Sequence, residues 1–226
     1  MIGFKKTTSF LGAFAIVSLI AASASAASSL LGTGKSYTDS LHPLGWEGSQ
    51  TFTKSVTGGT LAGEVDWAIF TAANFDSLFP DYTGTPGELV YAYQVFNTGG
   101  VDISKTEAPL LSLAPADNVG DFASDGMSGV LPSSMSIISA DVIWNFASPE
   151  IGYSSPATTK SAGLAFSSSR APRTDWYVIV DGGGSVNVNG VGGPGTTAIP
   201  EPSALALLAV MAASLGIAVV RNRKNK

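Results

Sequence analysis

Glu88–Asn97 reads "ELVYAYQVFN". Leu89, Tyr91, Tyr93 and Val95 alternate with Val90, Ala92, Gln94 and Phe96, a period of two carried by aromatic and β-branched side chains. That period belongs to an extended strand, because successive side chains leave a strand on opposite faces. A helix would repeat its apolar residues at three- and four-residue spacing, which this stretch does not do. The decision here is strand, and the fold follows from it.

Working outward, the same alternation recurs. "GEVDWAIF" puts Val65, Trp67 and Ile69 on one face, and "DVIWNF" does so with Val142, Trp144 and Phe146. "AGLAFSS" offers Leu164 and Phe166, and "DWYVIV" sets Trp176, Val178 and Val180 against Tyr177 and Ile179. "SVNVNGV" sets Val186 and Val188 over Asn187 and Asn189. Glycine, proline and asparagine punctuate these runs, and glycine alone supplies 26 of 226 residues. No stretch between the chain ends has a helical period. The expectation is an all-β fold, a single antiparallel β-sandwich over residues 27–190 with one sheet packed on the other. "VGGPGTTA", from Val191 to Ala198, reads as part of a flexible Gly-rich linker over 191–199.

The two ends have a different character. Lys5 and Lys6 precede an apolar run from Phe10 to Ala22 and a small-residue stretch with Ala24 and Ala26 at the −3 and −1 positions of a cleavage site. This is the three-part pattern of a secretory signal peptide over 1–26, an N-terminal signal helix used for export and then removed. At the other end, Ser203–Val220 is 18 residues without a charge. As a helix it spans roughly 27 Å, close to the ~30 Å hydrocarbon core of a bilayer. Its apolar residues run all round, which leaves no face for water and predicts a C-terminal transmembrane helix. Arg221, Arg223, Lys224 and Lys226 follow it as a basic stop-transfer tail, which predicts a cytoplasmic C-terminus and an exported body.

Both basic clusters belong to these ends. The body between them holds sixteen of the 17 acids and six of the 12 bases, a net charge near −10 against −5 for the whole chain. Such a body repels nucleic acid and anionic membrane surfaces, so no nucleic-acid partner is expected. There is no cysteine, hence no disulfide and no thiol chemistry, and the exported fold must stand on its core alone.

With those residues set out, the C-terminal segment over 200–226 resembles the PEP-CTERM sorting signal of exported proteins of Gram-negative bacteria. Pro200, Glu201, Pro202 and Ser203, the apolar run and the basic tail carry the likeness in that order. The resemblance implies a substrate of exosortase, a membrane-embedded protease or transpeptidase, in cells that make exopolysaccharide. The two prolines disfavour helix across the junction, and an extended segment at the membrane surface suits a protease site. Cleavage is therefore expected near Pro200–Ser203. A second likeness covers the body: Tyr91, Tyr93 and Asn97, then Trp144 and Phe146, then Phe166, Ser168 and Pro172 are similar to paired segments of small PEP-CTERM proteins, which generally have no assigned activity.

Candidate chemistry inside the body is sparse. The lone histidine, His42, reads as a loop residue before Pro43. Asp117, Asp121 and Asp125, with Asn118 among them, form an oxygen-rich stretch that could hold calcium, although the spacing does not match a calcium loop and acidic turns are common between strands. Glu64 and Asp66 share a strand face and could mimic the carboxylate pair of a glycosidase, or could simply be a solvated face. "VIVDGGGSV" lacks the lysine and the following helix of a phosphate loop, and reads as a hairpin with Gly182–Gly184 at positive φ. Trp46, Trp67, Trp144 and Trp176 could stack on sugars or fill a core; Trp176 and its neighbour Tyr177 must face opposite ways, so one of them can be exposed.

Together these features predict an exported, non-enzymatic cell-envelope or extracellular-matrix protein that uses no cofactor and no metal. Its expected partners are the Sec-type export machinery, the inner membrane and exosortase, with exopolysaccharide or biofilm as its surroundings. A carbohydrate-binding module acting on exopolysaccharide is the alternative, and a glycan-acting enzyme the third reading.

Overall fold

The structure is a computed structural model, and it describes residues 46–110, 115–124, 127–154 and 159–198. The expected signal peptide with Ala24 and Ala26, His42, Asp125, the Pro200–Ser203 motif, the apolar run and the tail of Arg221, Arg223, Lys224 and Lys226 lie outside the described residues. Among the described residues no helix is long and apolar enough to cross a membrane.

The alternating run is a strand, and its neighbours complete an all-β fold. In chain order the elements are β1 (Glu47–Val56), β2 (Gly59–Thr71), α1 (Ala72–Leu78), β3 (Leu89–Asn97), β4 (Lys105–Pro109), β5 (Asp117–Phe122), β6 (Ser134–Ile138), β7 (Asp141–Asn145), β8 (Gly163–Ser168), β9 (Arg170–Val180) and β10 (Ser185–Ala198). They form two five-stranded sheets, β1-β2-β3-β8-β5 and β10-β9-β4-β7-β6. Every ladder is antiparallel.

Alternation decides what each sheet turns inward. Tyr93 pairs with Trp67 on one side and Leu164 on the other, and all three are buried. From the second sheet, Trp144 and Tyr177 meet them: the Tyr93 ring lies 6.1 Å from Trp144 and 4.9 Å from Tyr177. Buried hydroxyls keep partners, as burial requires. Tyr93 donates to the Gly192 carbonyl (2.8 Å), and Tyr177 donates to the Thr106 hydroxyl (3.1 Å). Trp144 Nε1–H donates to the Gly120 carbonyl across the sandwich (3.1 Å).

Over β3, β8 and the second half of β2 the outer face of the first sheet is buried as well. β2 ends at Thr71, whose hydroxyl accepts the Asn74 N–H and caps α1. This helix is only 7 residues long, too short for a helical period to show in the sequence. It lays Phe75 on the sheet, and the chain adds Phe79 and Tyr82 directly after it. With Phe70 and Phe122 these rings form an edge-to-face cluster, Phe75 at 5.2 Å from Phe70 and 5.0 Å from Phe122. The first sheet therefore has apolar residues on both faces, which explains why Val90 and Ala92 are as buried as Tyr91 and Tyr93.

The expected linker is not one. Val191–Ala198 is the second half of β10, paired with β9 through Val191–Asp175, Gly192–Thr174, Gly193–Arg173 and Pro194–Pro172. Its glycines are there for close approach: a Cβ on Gly192 would lie 2.4 Å from the Trp67 ring. Gly190 sits in a bulge at φ +86, between Asn189 opposite Trp176 and Val191 opposite Asp175. The extra residue resets the alternation so that Val188 and Val191 both face the core. Composition suggested flexibility where the glycines in fact serve packing.

A candidate binding face

The two sheets differ in what covers them, and that difference locates the candidate site. The outer face of the second sheet carries no helix and no second layer among the described residues. The strand registers give its rows directly. One row runs Ser185, Val180, Lys105, Asn145, Ser134. The next runs Asn187, Val178, Glu107, Ile143, Ser136. The third begins with Asn189 beside Trp176 and ends with Asp141 beside Ile138.

At 44% exposure Trp176 is the most accessible tryptophan of the described residues, and its ring contacts no other aromatic ring there. Its neighbours Asn187 and Asn189 are exposed and make no side-chain hydrogen bond to described residues. Lys105 and Glu107 form an ion pair at 2.6 Å, which neutralises the centre of the face. The Asn145 amide donates to the Ser134 hydroxyl (3.1 Å). At one end the face opens into a groove of about 470 Å³ lined by Ser104, Lys105, Asn145, Phe146, Ala147 and Glu150. The whole is a broad, amide-rich surface with one aromatic platform, suited to an extended polar ligand and not to enclosing a small one.

The candidates drawn from sequence are placed as follows. Trp46 and Trp67 pack on the core and Trp144 lies within it, so only Trp176 of the four remains available. Glu64 and Asp66 share a face of β2, but it is the outer face of the first sheet, and Asp66 is fully buried. The solvated strand face expected there is wrong for Asp66, because the first sheet is covered on that side. A sugar could not reach that carboxylate, so the two acids do not flank a substrate cleft.

Asp117 and Asp121 do not converge either. Asp117 pairs with Ser167 and Asp121 with Leu164, residues on opposite faces of β8, so the two carboxylates leave β5 on opposite sides. Asp117 accepts the Thr85 hydroxyl (2.6 Å), and Asn118 donates to that same hydroxyl (2.8 Å), so this acidic stretch anchors the 80–85 segment. Among the described residues no group of three or more histidine, aspartate or glutamate side chains could hold a metal. At the β9–β10 hairpin, Asp181 accepts the Gly183 N–H (2.9 Å) and organises the turn. Gly182–Gly184 are not at positive φ, contrary to expectation, because the aspartate side chain closes the turn without it.

The residues behind the second likeness are structural clamps. Tyr91 donates to the Arg170 carbonyl (2.7 Å), and the Ser168 hydroxyl donates to the Pro115 carbonyl (2.6 Å). The Asn97 amide donates to the carbonyls of Val101 (2.8 Å) and Ile151 (2.7 Å), while its oxygen accepts the Gly99 N–H (3.0 Å). Trp144, Phe146 and Phe166 are core. Lys105, Glu107, Asn145 and Asp141 were not legible as one surface, since the strand carrying the first two, β4, does not read as a strand.

Burial pushes the Asp121 carboxyl above its ordinary range, and the nearby Asp81 charge adds to this. For Asp81 burial pushes the same way, but hydrogen bonds from the Ser124 hydroxyl and the Ala123 and Ser124 N–H groups outweigh it and hold its pKa low. Burial also raises Asp141, with Glu107 adding and Lys105 opposing. A carboxyl raised in the folded state binds its proton more tightly folded than unfolded. Asp121 and Asp141 therefore add stability as pH falls from neutrality through their raised values, until the unfolded chain titrates too. Thermal melts of Asp121→Asn should show a higher midpoint at pH 7 and a flatter dependence down to pH 4. A drop at pH 7 would contradict this account.

A scan against protein-family models gives no match, and searches of curated proteins and of solved structures likewise give none.

Proposed function

We propose that this chain is an exported, non-enzymatic cell-envelope or extracellular-matrix protein. In this reading it crosses the inner membrane through Sec-type machinery and is held there transiently by Ser203–Val220, with its basic tail inside. Exosortase then cuts near Pro200–Ser203, and the body joins the exopolysaccharide layer at the cell surface. The observation that carries the reading is the asymmetry of the sandwich. One sheet is covered on both faces over β3, β8 and the second half of β2, while the other offers a wide open face with an exposed tryptophan and free amides. A surface of that kind suits association with an extended matrix component. The exposure of Trp176 also favours the alternative, a carbohydrate-binding module, and the two readings differ chiefly in whether binding is the protein's main task. The burial of Asp66 leaves the glycan-acting enzyme without its carboxylate pair.

The supporting detail from the fold is that β10 runs to Ala198, two positions before Pro200, so the folded body reaches almost to the motif. The test is fractionation of cells that make the protein, followed by intact mass. The expected species is recovered from the surface or matrix, begins after Ala26 and ends near Pro200–Ser203. A mature species that still ends in Lys226 would overturn the cleavage step, and recovery only from the cytoplasm would overturn the reading as a whole.

A further inference from the structure

The geometry points to a binding site for an uncharged polysaccharide on the open face of the second sheet, with Trp176 as the stacking platform and Asn187 and Asn189 as the hydrogen-bonding flank. This inference rests on the matrix reading above and gives it a ligand class and named residues.

Three observations lead to it. The first is position. Trp176 stands on β9 beside the edge strand β10, where it is paired with Asn189 just before the Gly190 bulge. Its own N–H donates to the Asp175 carboxylate (2.9 Å), which adds a local anchor. Tyr177, one residue on, is locked in the core, so the Trp176 ring is committed to the outer face. An indole fixed in this way presents an apolar surface to water, which a sugar ring can cover with its own C–H face.

The second is the chemistry around it. Asn187, Asn189, Asn145, Ser134, Ser136 and Ser185 supply amide and hydroxyl groups, the donors and acceptors that hydroxyl-rich ligands need. At a ~3.4 Å rise the three rows extend roughly 14 Å along the strands, and five strands at ~4.8 Å extend roughly 19 Å across them. Several consecutive sugar rings can lie on such a face, and the groove at Lys105 and Asn145 continues it at one end.

The third is charge, and it selects among polysaccharides. The body carries a net charge near −10, so a polymer of uronic acids or sulfated sugars would be repelled on approach. Among the described residues the face has no compensating basic cluster: Lys105 is taken up by Glu107, Lys54 reaches it only at the Ser185 carbonyl on its edge, and Asp141 and Glu150 are acidic. A neutral polymer meets no such barrier.

The test is affinity electrophoresis of the purified full-length chain in gels containing a neutral polysaccharide (dextran, galactomannan or hydroxyethyl cellulose) or the polyuronate alginate. The expected result is retardation in at least one neutral gel, none in alginate, and little change when salt rises, since screening has no attraction to weaken. Trp176→Ala should weaken binding at least about tenfold, Trp176→Phe should restore part of it, and Asn187→Ala with Asn189→Ala should weaken it several-fold. Thermal melts should leave all these variants near wild type, because the residues are exposed. Retardation in no neutral gel would overturn the inference, as would Trp176→Ala binding like wild type, or a preference for alginate. Each of those results leaves the fractionation result untouched, so the site can fail while the matrix reading stands.

Discussion

Trp144→Ala should lower stability by about 3–5 kcal/mol, among the largest losses that a single truncation can give. Trp144 is fully buried and is the largest of the fully buried side chains. It sits on β7 with Tyr93 at 6.1 Å and Phe166 at 6.2 Å, both from the opposite sheet. Truncation removes the indole's transfer free energy and leaves a cavity between two sheets whose strands cannot close over it. It also strips the Gly120 carbonyl of its donor, a second penalty of about 1 kcal/mol or more. For a body of this size the thermal midpoint should fall by roughly 10 °C or more. Urea denaturation read by tyrosine fluorescence would measure it. Trp176→Ala is the matched control, and its change should stay within about 0.5 kcal/mol. Equal losses at the two sites would mean that the sandwich interior is not where the structure puts it.

The second large effect belongs to Asn97. Its side chain makes three hydrogen bonds to main-chain groups, to Val101, Ile151 and Gly99, from a position only 2% exposed. It therefore ties the end of β3 to the turn that follows and to the Ile151 segment, which itself bridges to Ile103. Asn97→Ala should cost about 3 kcal/mol, because buried carbonyls lose their donors with no water to replace them. Asn97→Asp should be worse at neutral pH despite its matching shape. A carboxylate would then face two carbonyl oxygens where an amide had donated, and the charge would be buried. Burial raises the pKa of that new carboxyl, so the fold should recover stability as pH falls through the raised value. Denaturation at pH 7 and pH 4.5 checks the sign. If Asn97→Asp were harmless at pH 7, the assigned donor geometry would be wrong.

The sequence carried the fold where one face alone is apolar or where both are. The strands rich in aromatic and β-branched residues, β2, β3, β7, β8, β9 and the first half of β10, are readable by alternation. Of the strands that escaped reading, β6, "SMSII", ends in two adjacent isoleucines that break the alternation, and β1, β4 and β5 carry few large apolar residues. β1 fully buries only Phe52 and packs Val56 half-buried at its end, and its other positions are polar or small, as an edge strand permits. β4, "KTEAP", carries an ion pair on its outer face, and β5, "DNVGDF", reads as an acidic turn. Val191–Ala198 escaped because glycine and proline suggest a linker by composition, whereas here they let β10 press against Trp67. Of the candidate site, Trp176 was legible from its neighbour Tyr177, since adjacent strand residues must diverge. Its partners were not, because which residues surround it depends on strand order, and no local pattern states that β4 lies between β9 and β7.

That strand order has a consequence for how the chain acquires its shape. Each sheet is joined from two distant parts of the sequence, the first through β3 with β8 and the second through β4 with β9. Residues near position 92 must find residues near 165, and residues near 106 must find those near 179. Local hairpins such as β1–β2 and β6–β7 can close early, but they hold only fragments of either layer. The loop-closure entropy of the long-range pairings falls late, which makes folding slow for the size of the domain. A chain synthesised N-terminus first can complete neither layer until β8 and β9 have followed, so the body stays open until most of the chain has been made. It becomes a finished object only when nearly all of its strands are out.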